Sequence, residues 1–239
     1  MAGQAVILSV RDVSAGYGSV PVLRNISFAQ REGEVLGVIG HNGMGKTTLL
    51  RVLMGLLRAA SGSIEFAGAE ITTSLAWRRS LLGISYVPQG DLGFPDLTVA
   101  ETLALATAAK GRGDHMTVEE TVGWFPRLAD LLNRRSAALS GGERQLLAIA
   151  RAVTRSPRLL LLDEMTEGVQ PSIVEEIAGC LQVLRHRVGT SMLIVDQELA
   201  FVASLASRVL VMQKGQVVRE LGADSLSDPD VLGVFGAAL

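Results

Sequence analysis

Alternation of apolar and polar positions divides the chain into strand-like and helix-like stretches. Val6 to Val10 and Val20 to Phe28 read as strands, with turn chemistry at Gly16-Tyr17-Gly18 and at Glu32-Gly33. Val35 to Ile39 is a short apolar run, the pattern of a buried strand. Leu49, Leu50, Leu53, Leu56 and Leu57 then recur at helical spacing, which predicts a helix over Leu49 to Leu57. Ser63 to Phe66 and Ile84 to Val87 read as further strands, with a weak helix from Leu75 to Leu82 between them.

From Leu97 to about Arg155 the pattern turns helical. Thr98 with Glu101, and Thr117 with Glu120, have the spacing by which each end of a helix start satisfies the other's free backbone donor. Gly111-Arg112-Gly113-Asp114 reads as the loop between the two helices. After Pro157 the strand–helix alternation resumes. Leu159 to Leu162 is too short for a helix and reads as a central parallel strand. Pro171 opens a helix that carries Val174, Ile177, Ala178, Leu181 and Leu184 on one face and stops at Gly189. Ser191 to Val195 is a strand and Leu199 to Ala206 a short helix. Val209 to Met212 and Gln216 to Arg219 form a hairpin through Lys214-Gly215. The class is therefore α/β, with a β-rich beginning and a helical insertion.

Composition changes this picture little. The 239 residues suit one large domain or a core with a subdomain. The formal net charge of −2 gives no push toward nucleic acid as a partner. Cys180 is the single cysteine, which excludes an internal disulfide and reads as a small core residue of a helix. No apolar run approaches the ~20 residues of a membrane-spanning helix, and the start lacks a secretion signal, so a cytoplasmic location is expected. A 48% hydrophobic content is high for such a chain, and a well-filled core explains it most simply.

Chemistry concentrates in three stretches. Gly40-His41-Asn42-Gly43-Met44-Gly45-Lys46-Thr47-Thr48 fits G-x-x-x-x-G-K-[ST], a phosphate-binding loop, in the required strand–loop–helix setting. Glycines let the main chain curl so that several N–H groups face one anion, and the helix N-terminus adds partial positive charge. Lys46 is placed to reach the β- and γ-phosphates and the Thr47 hydroxyl to hold Mg²⁺. Asp163 and Glu164 end the tetraleucine strand, at the edge where ligands bind open α/β sheets. Asp163 suits a Mg²⁺ ligand opposite Thr47, and Glu164 a group that polarises an attacking water. Ser140-Gly141-Gly142-Glu143 caps a further helix and leaves N–H groups open to an anion, but no lysine follows. On capping grounds alone that stretch is equally well a simple helix start.

Leu139-Ser140-Gly141-Gly142-Glu143-Arg144-Gln145 resembles the LSGGEQ signature of ATP-binding-cassette ATPases, with an arginine before the glutamine. Together with the phosphate loop and Leu159 to Glu164, in this order, it makes the chain resemble that family over essentially its whole length. The resemblance implies a P-loop NTPase (RecA-like) parallel-sheet core over 1–90 and 156–239, an N-terminal antiparallel β subdomain, and a helical subdomain over 91–155. It implies ATP and Mg²⁺ as cofactors, contacted by Gly40, Asn42, Gly43, Gly45, Lys46, Thr47 and Thr48. It makes Tyr17 the aromatic that stacks on adenine and Gln89 the glutamine that contacts Mg²⁺ or water. Glu164 and Gln197 become the catalytic pair, with Gln197 where many members carry a histidine that senses the γ-phosphate.

The resemblance also implies head-to-tail pairing with a second such ATPase, so that Ser140, Gly141 and Gly142 serve the partner's nucleotide. Further expected partners are transmembrane permease subunits and, indirectly, an external solute-binding protein, at the cytoplasmic face of the membrane. Gly123 to Leu128 resembles a segment of the branched-chain amino-acid importer ATPases. Tyr86 to Gly90 and Glu167 to Ser172 resemble the related urea and short-amide importer subunits. Two departures stand out: Met165 where a proline is usual, and Glu167-Gly168-Val169-Gln170 in place of a common SALD segment. A nucleotide-gated binding module outside transport is the competing reading. A catalytically dead regulatory cassette is a third, which the intact Lys46, Asp163 and Glu164 argue against.

Overall fold

The computed structural model describes residues 5–90, 93–108, 116–222 and 224–225. Two sheets organise it. The first is antiparallel, order β2-β1-β4-β5, from Val6–Tyr17 (β1), Val20–Arg31 (β2), Ser61–Phe66 (β4) and Ala69–Glu70 (β5). The second has six strands in the order β10-β9-β3-β8-β7-β6. These are Val35–Ile39 (β3), Ile84–Val87 (β6), Leu159–Asp163 (β7), Ser191–Val195 (β8), Arg208–Gln213 (β9) and Gln216–Gly222 (β10). All its neighbours run parallel except the β9–β10 hairpin at one edge. The fold is thus mixed α/β, as the pattern predicts.

Five-residue strands buried at every position explain the apolar runs, because the second sheet is covered on both faces. Successive side chains point to opposite faces. Leu159 and Leu161 join Leu36, Val38, Leu193 and Val195 against the first sheet and the helix Lys46–Met54 (α1). Leu160 and Leu162 join Ile194 and Val211 on the other face. That face packs against the signature helix Gly141–Val153 (α6), the long helix Pro171–Val188 (α7) and Leu199–Leu205 (α8). Ala76–Leu81 (α2) precedes β6, and Val99–Ala108 (α3), Val118–Trp124 (α4) and Pro126–Ala129 (α5) lie between β6 and α6.

Several expected boundaries move. β1 runs on to Tyr17, which is strand and not turn; the reversal is Gly18-Ser19. Asp12, at φ +50° and with its N–H bonded to Ser27 Oγ, bulges β1 and resets the alternation between Val10 and Val13, which hid the continuation. α1 begins at Lys46 and ends at Met54, three residues earlier at each end than the leucine spacing suggests. Gly55 stops it in a left-handed conformation, φ +77°. The buried Arg79 guanidinium donates to the Val52 and Leu53 carbonyls at 2.8 Å each, capping the helix that Leu56 and Leu57 were expected to continue. Leu56 is instead 58% exposed. β5 was not anticipated, and β10 extends past Arg219 to Gly222. The expected loop Gly111–Asp114 lies outside the described residues.

Candidate functional site

The phosphate loop leaves β3 at Ile39 and enters α1 at Lys46. Gly45 takes φ +97°, and a Cβ there would come within 2.9 Å of Leu23 Cδ2, so only glycine fits the bend. The β9–β10 turn braces the loop from behind: Gly215 N–H donates to the Met44 carbonyl at 3.2 Å, and Lys214 N–H to the Met44 sulfur at 3.1 Å. Asn42 and Gly43 stay exposed, while Lys46 is buried and Thr47 half-buried. Lys46 Nζ donates to the carbonyls of Gly40 (2.7 Å) and His41 (3.2 Å), which folds the ammonium back over the loop. Thr48 is buried within the first turn of α1.

β7 delivers the carboxylates. Asp163 continues the face of Leu159 and Leu161, the face covered by α1, so period-two alternation aims it at Thr47. The Thr47 hydroxyl donates to Asp163 Oδ1 at 3.0 Å and the Tyr86 hydroxyl to Oδ2 at 2.8 Å. Glu164 takes φ +52°, a left-handed backbone that costs a non-glycine residue about 1–2 kcal/mol. The turn directs neighbouring acids to different places: Glu164 Oε1 lies 3.6 Å from Lys46 Nζ. Gln197 Nε2 donates to the same oxygen at 3.3 Å, and Gln89 Nε2 donates to Glu164 Oε2 at 2.9 Å and to Glu167 Oε2. Three of the sequence-selected residues, Lys46, Gln89 and Gln197, therefore converge on the Glu164 carboxylate.

Burial raises the pKa of Asp163, against the pull of the Tyr86 and Thr47 hydrogen bonds and the charges of Arg51 and Lys46. Burial raises that of Glu164 as well, opposed by Lys46 and by the Gln197 bond and reinforced by Glu167 and Asp163. A carboxylate poised above its ordinary range is better matched to accepting a proton near neutral pH. The donor set of one carboxylate and one hydroxyl suits Mg²⁺, which takes oxygen ligands and completes its shell with water and substrate phosphates. Among the described residues there is no cluster of three or more His, Cys, Asp or Glu that could hold a metal by itself.

Tyr17 is 44% exposed, and its hydroxyl accepts from Arg51 Nη1 at 3.2 Å, which ties it to α1. Ser140 N–H donates to Glu143 Oε2 (2.7 Å) and its hydroxyl accepts from Glu143 N–H (3.3 Å), so the capping box forms. Ser140 and Gly141 are exposed, while Gly142 is pressed on Ile173, 2.9 Å from where its Cβ would be. Gly141, Arg144 and Gln145 share a cavity of about 410 Å³ with Gln89, Glu164 and Glu167; Lys46 and Thr47 are not on its walls. Met165 is fully buried, and its sulfur accepts from Gln145 Nε2 at 2.7 Å, so the departure from proline adds a contact to α6.

Sequence reasoning missed Tyr86 and Asp196. Asp196 follows β8 as Asp163 ends β7, so the strand-end argument reaches it. It is buried and accepts from Thr166 Oγ1 (2.6 Å), Gln197 N–H (2.8 Å) and Glu198 N–H (3.0 Å), clamping the turn that carries Gln197 to the segment after Glu164. Tyr86 is signalled only by strand alternation, two positions after Ile84.

Comparison with known proteins agrees with this geometry. The family model described as ABC transporter matches residues 23–167, which spans the phosphate loop, the signature, Asp163 and Glu164. The chain is 38% identical over 234 residues to the high-affinity branched-chain amino acid transport ATP-binding protein BraG of Pseudomonas aeruginosa, covering 96% of this chain and 99% of the relative. It is 32% identical to a probable branched-chain amino acid transport ATP-binding protein, LivF, of Archaeoglobus fulgidus, covering 86% and 87%. The methionine import ATP-binding protein MetN of Rhizobium etli is 34% identical over 90% of this chain but only 60% of its own length. Among solved structures, MJ1267, an ATP-binding cassette of an ABC transporter, superposes with a TM-score of 0.84 at 27% identity, covering 97% of this chain and 99% of the other. The chain belongs to the ABC transporter ATP-binding family, whose cassettes hydrolyse ATP to power transport.

Proposed function

We propose that the chain is the motor subunit of an importer for a small polar solute of the branched-chain amino-acid or urea and short-amide class. The observation that carries the catalytic part is the convergence of Lys46, Gln89 and Gln197 on Glu164, beside an Asp163 already bonded to Thr47. Glycine-loop N–H groups and Lys46 hold the β- and γ-phosphates, and Tyr17 stacks on adenine. Thr47 and Asp163, with Gln89 at the edge, hold Mg²⁺, which offsets phosphate charge when bound. Glu164 accepts a proton from the attacking water while Gln197 fixes its orientation. Ser140 and the Gly141 and Gly142 N–H groups meet the γ-phosphate bound by a second cassette, either a copy of this chain or a sister subunit.

Differential affinity of the paired state for ATP over ADP then drives closing and opening. A permease embedded in the membrane converts that motion into uptake, with this chain attached at the cytoplasmic face and an external binding protein delivering solute. Among the described residues no helix is long and apolar enough to cross a membrane. The solute class rests on BraG and LivF, whose names give branched-chain amino acids; MetN makes methionine the competing solute.

The test is reconstitution of the chain with its membrane partners and binding protein in proteoliposomes. Hydrolysis stimulated by leucine-loaded binding protein is the expected result. Stimulation by methionine alone, or by urea alone, reassigns the solute, and co-purification with ribosomes in place of a permease overturns the transport reading.

A further inference from the structure

Asp163 is fully buried, and its carboxylate has two distinct oxygens. Oδ1 accepts from Thr47 at 3.0 Å and Oδ2 from Tyr86 at 2.8 Å. The second contact follows from strand register. Tyr86 pairs with Leu161 across the parallel β6–β7 ladder, so the side chain two residues beyond Leu161, that of Asp163, is its diagonal neighbour on the same face. Water cannot readily take the phenol's place, because the residue has no exposed surface. A phenol is protonated at neutral pH, so the Tyr86 hydroxyl serves as the donor. Arg51 stands beside Tyr86 and donates to the Tyr17 hydroxyl at 3.2 Å, so the same side-chain group reaches the other end of the nucleotide site.

We propose that Tyr86 is a positioning residue for Asp163: its hydroxyl pins Oδ2 and keeps Oδ1 presented beside Thr47, where the divalent ion accompanying ATP binds. The proposal rests on the reading of Asp163 and Thr47 as metal ligands given above. A carboxylate held at one oxygen need not be reoriented when the ion arrives, and outer-shell partners of this kind are worth about 10–100-fold in metal affinity.

The test titrates Mn²⁺ into protein loaded with a non-hydrolysable ATP analogue and reads free Mn²⁺ by electron paramagnetic resonance. Analogue affinity in EDTA and the melting temperature are measured alongside. Tyr86→Phe keeps the ring and removes only the hydroxyl. It should weaken Mn²⁺ about 10-fold or more, leave analogue affinity in EDTA unchanged, and add nothing further in an Asp163→Asn background. Wild-type Mn²⁺ binding by Tyr86→Phe, with Asp163→Asn impaired, overturns the positioning role while leaving the metal site intact. A fall of analogue affinity in EDTA as large as the fall in Mn²⁺ affinity also overturns it, since that is the mark of a general structural role. If neither variant alters Mn²⁺ binding, the metal reading fails and this proposal with it.

Discussion

The phosphate loop and the signature helix start are both glycine-opened helix N-termini, yet the fold treats them differently. At the first, within one chain, a threonine bonds Asp163 at the end of β7 and a lysine pairs with Glu164 just beyond it. At the second, the serine is engaged with its own helix and the two residues that open the turn face solvent. No charged side chain of β7 is hydrogen-bonded to Ser140, whose side-chain partner is Glu143 N–H. A helix N-terminus alone is a weak anion site; surrounding it with a cation and metal ligands makes a nucleotide site. The proposed division, nucleotide capture by one region and completion of a partner's site by the other, rests on this contrast.

Several experiments sharpen or break that contrast. The largest effect should come from Glu164→Gln, which keeps the shape and removes the proton acceptor. Hydrolysis in the assembled complex should fall about 10²–10⁴-fold with ATP affinity retained, as read by phosphate release and by calorimetry. Undiminished turnover removes Glu164 from its role. Tyr17→Ala should weaken ATP binding by about 1–3 kcal/mol, the worth of a base on an aromatic face. Fluorescence titration with an ATP analogue checks this, and a GTP analogue should lose affinity to a similar degree.

Gly45→Ala forces a methyl into a left-handed backbone and against Leu23. It should cost about 1–2 kcal/mol of stability, seen as a melting temperature lowered by about 2–8 °C, and should weaken ATP binding. The matching change at Ser140, Ser140→Ala, should cost about 1 kcal/mol through the lost cap while leaving ATP binding to the isolated chain alone.

The smallest effect is a pH dependence. Glu164 has a folded pKa raised by burial, so between its ordinary value near 4.5 and the raised one the native state retains a proton that the unfolded state has lost. Stability contributed by this group therefore falls as pH rises through that window. Hydrolysis moves oppositely, since the base must be ionised: its acid limb should lie above the ordinary glutamate range. Comparing melting curves of wild type and Glu164→Gln across pH 4 to 7 isolates the difference.

Much of this was legible in the residues. Strands buried on both faces announce themselves as apolar runs, so β3, β7 and β8 match their predicted limits closely, β7 extending to Asp163. The phosphate loop was legible because its glycines and lysine obey fixed spacing. What escaped detection depends on contacts distant in sequence. α1 ends at Gly55 because Arg79, 27 residues from Val52, takes its carbonyls, and no spacing of leucines records that. β1 hid behind a bulge held by Ser27. Tyr86 and Asp196 were missed for the same reason: their hydrogen bonds to Asp163 and Thr166 span 77 and 30 residues.

The most direct test is calorimetric titration of MgATP into the isolated monomeric chain, with wild type, Lys46→Ala and Ser140→Ala compared side by side. The assignment of capture to one region and trans completion to the other predicts equal affinity for wild type and Ser140→Ala, and no measurable heat for Lys46→Ala. Binding by Lys46→Ala at wild-type strength, or its loss in Ser140→Ala, contradicts it.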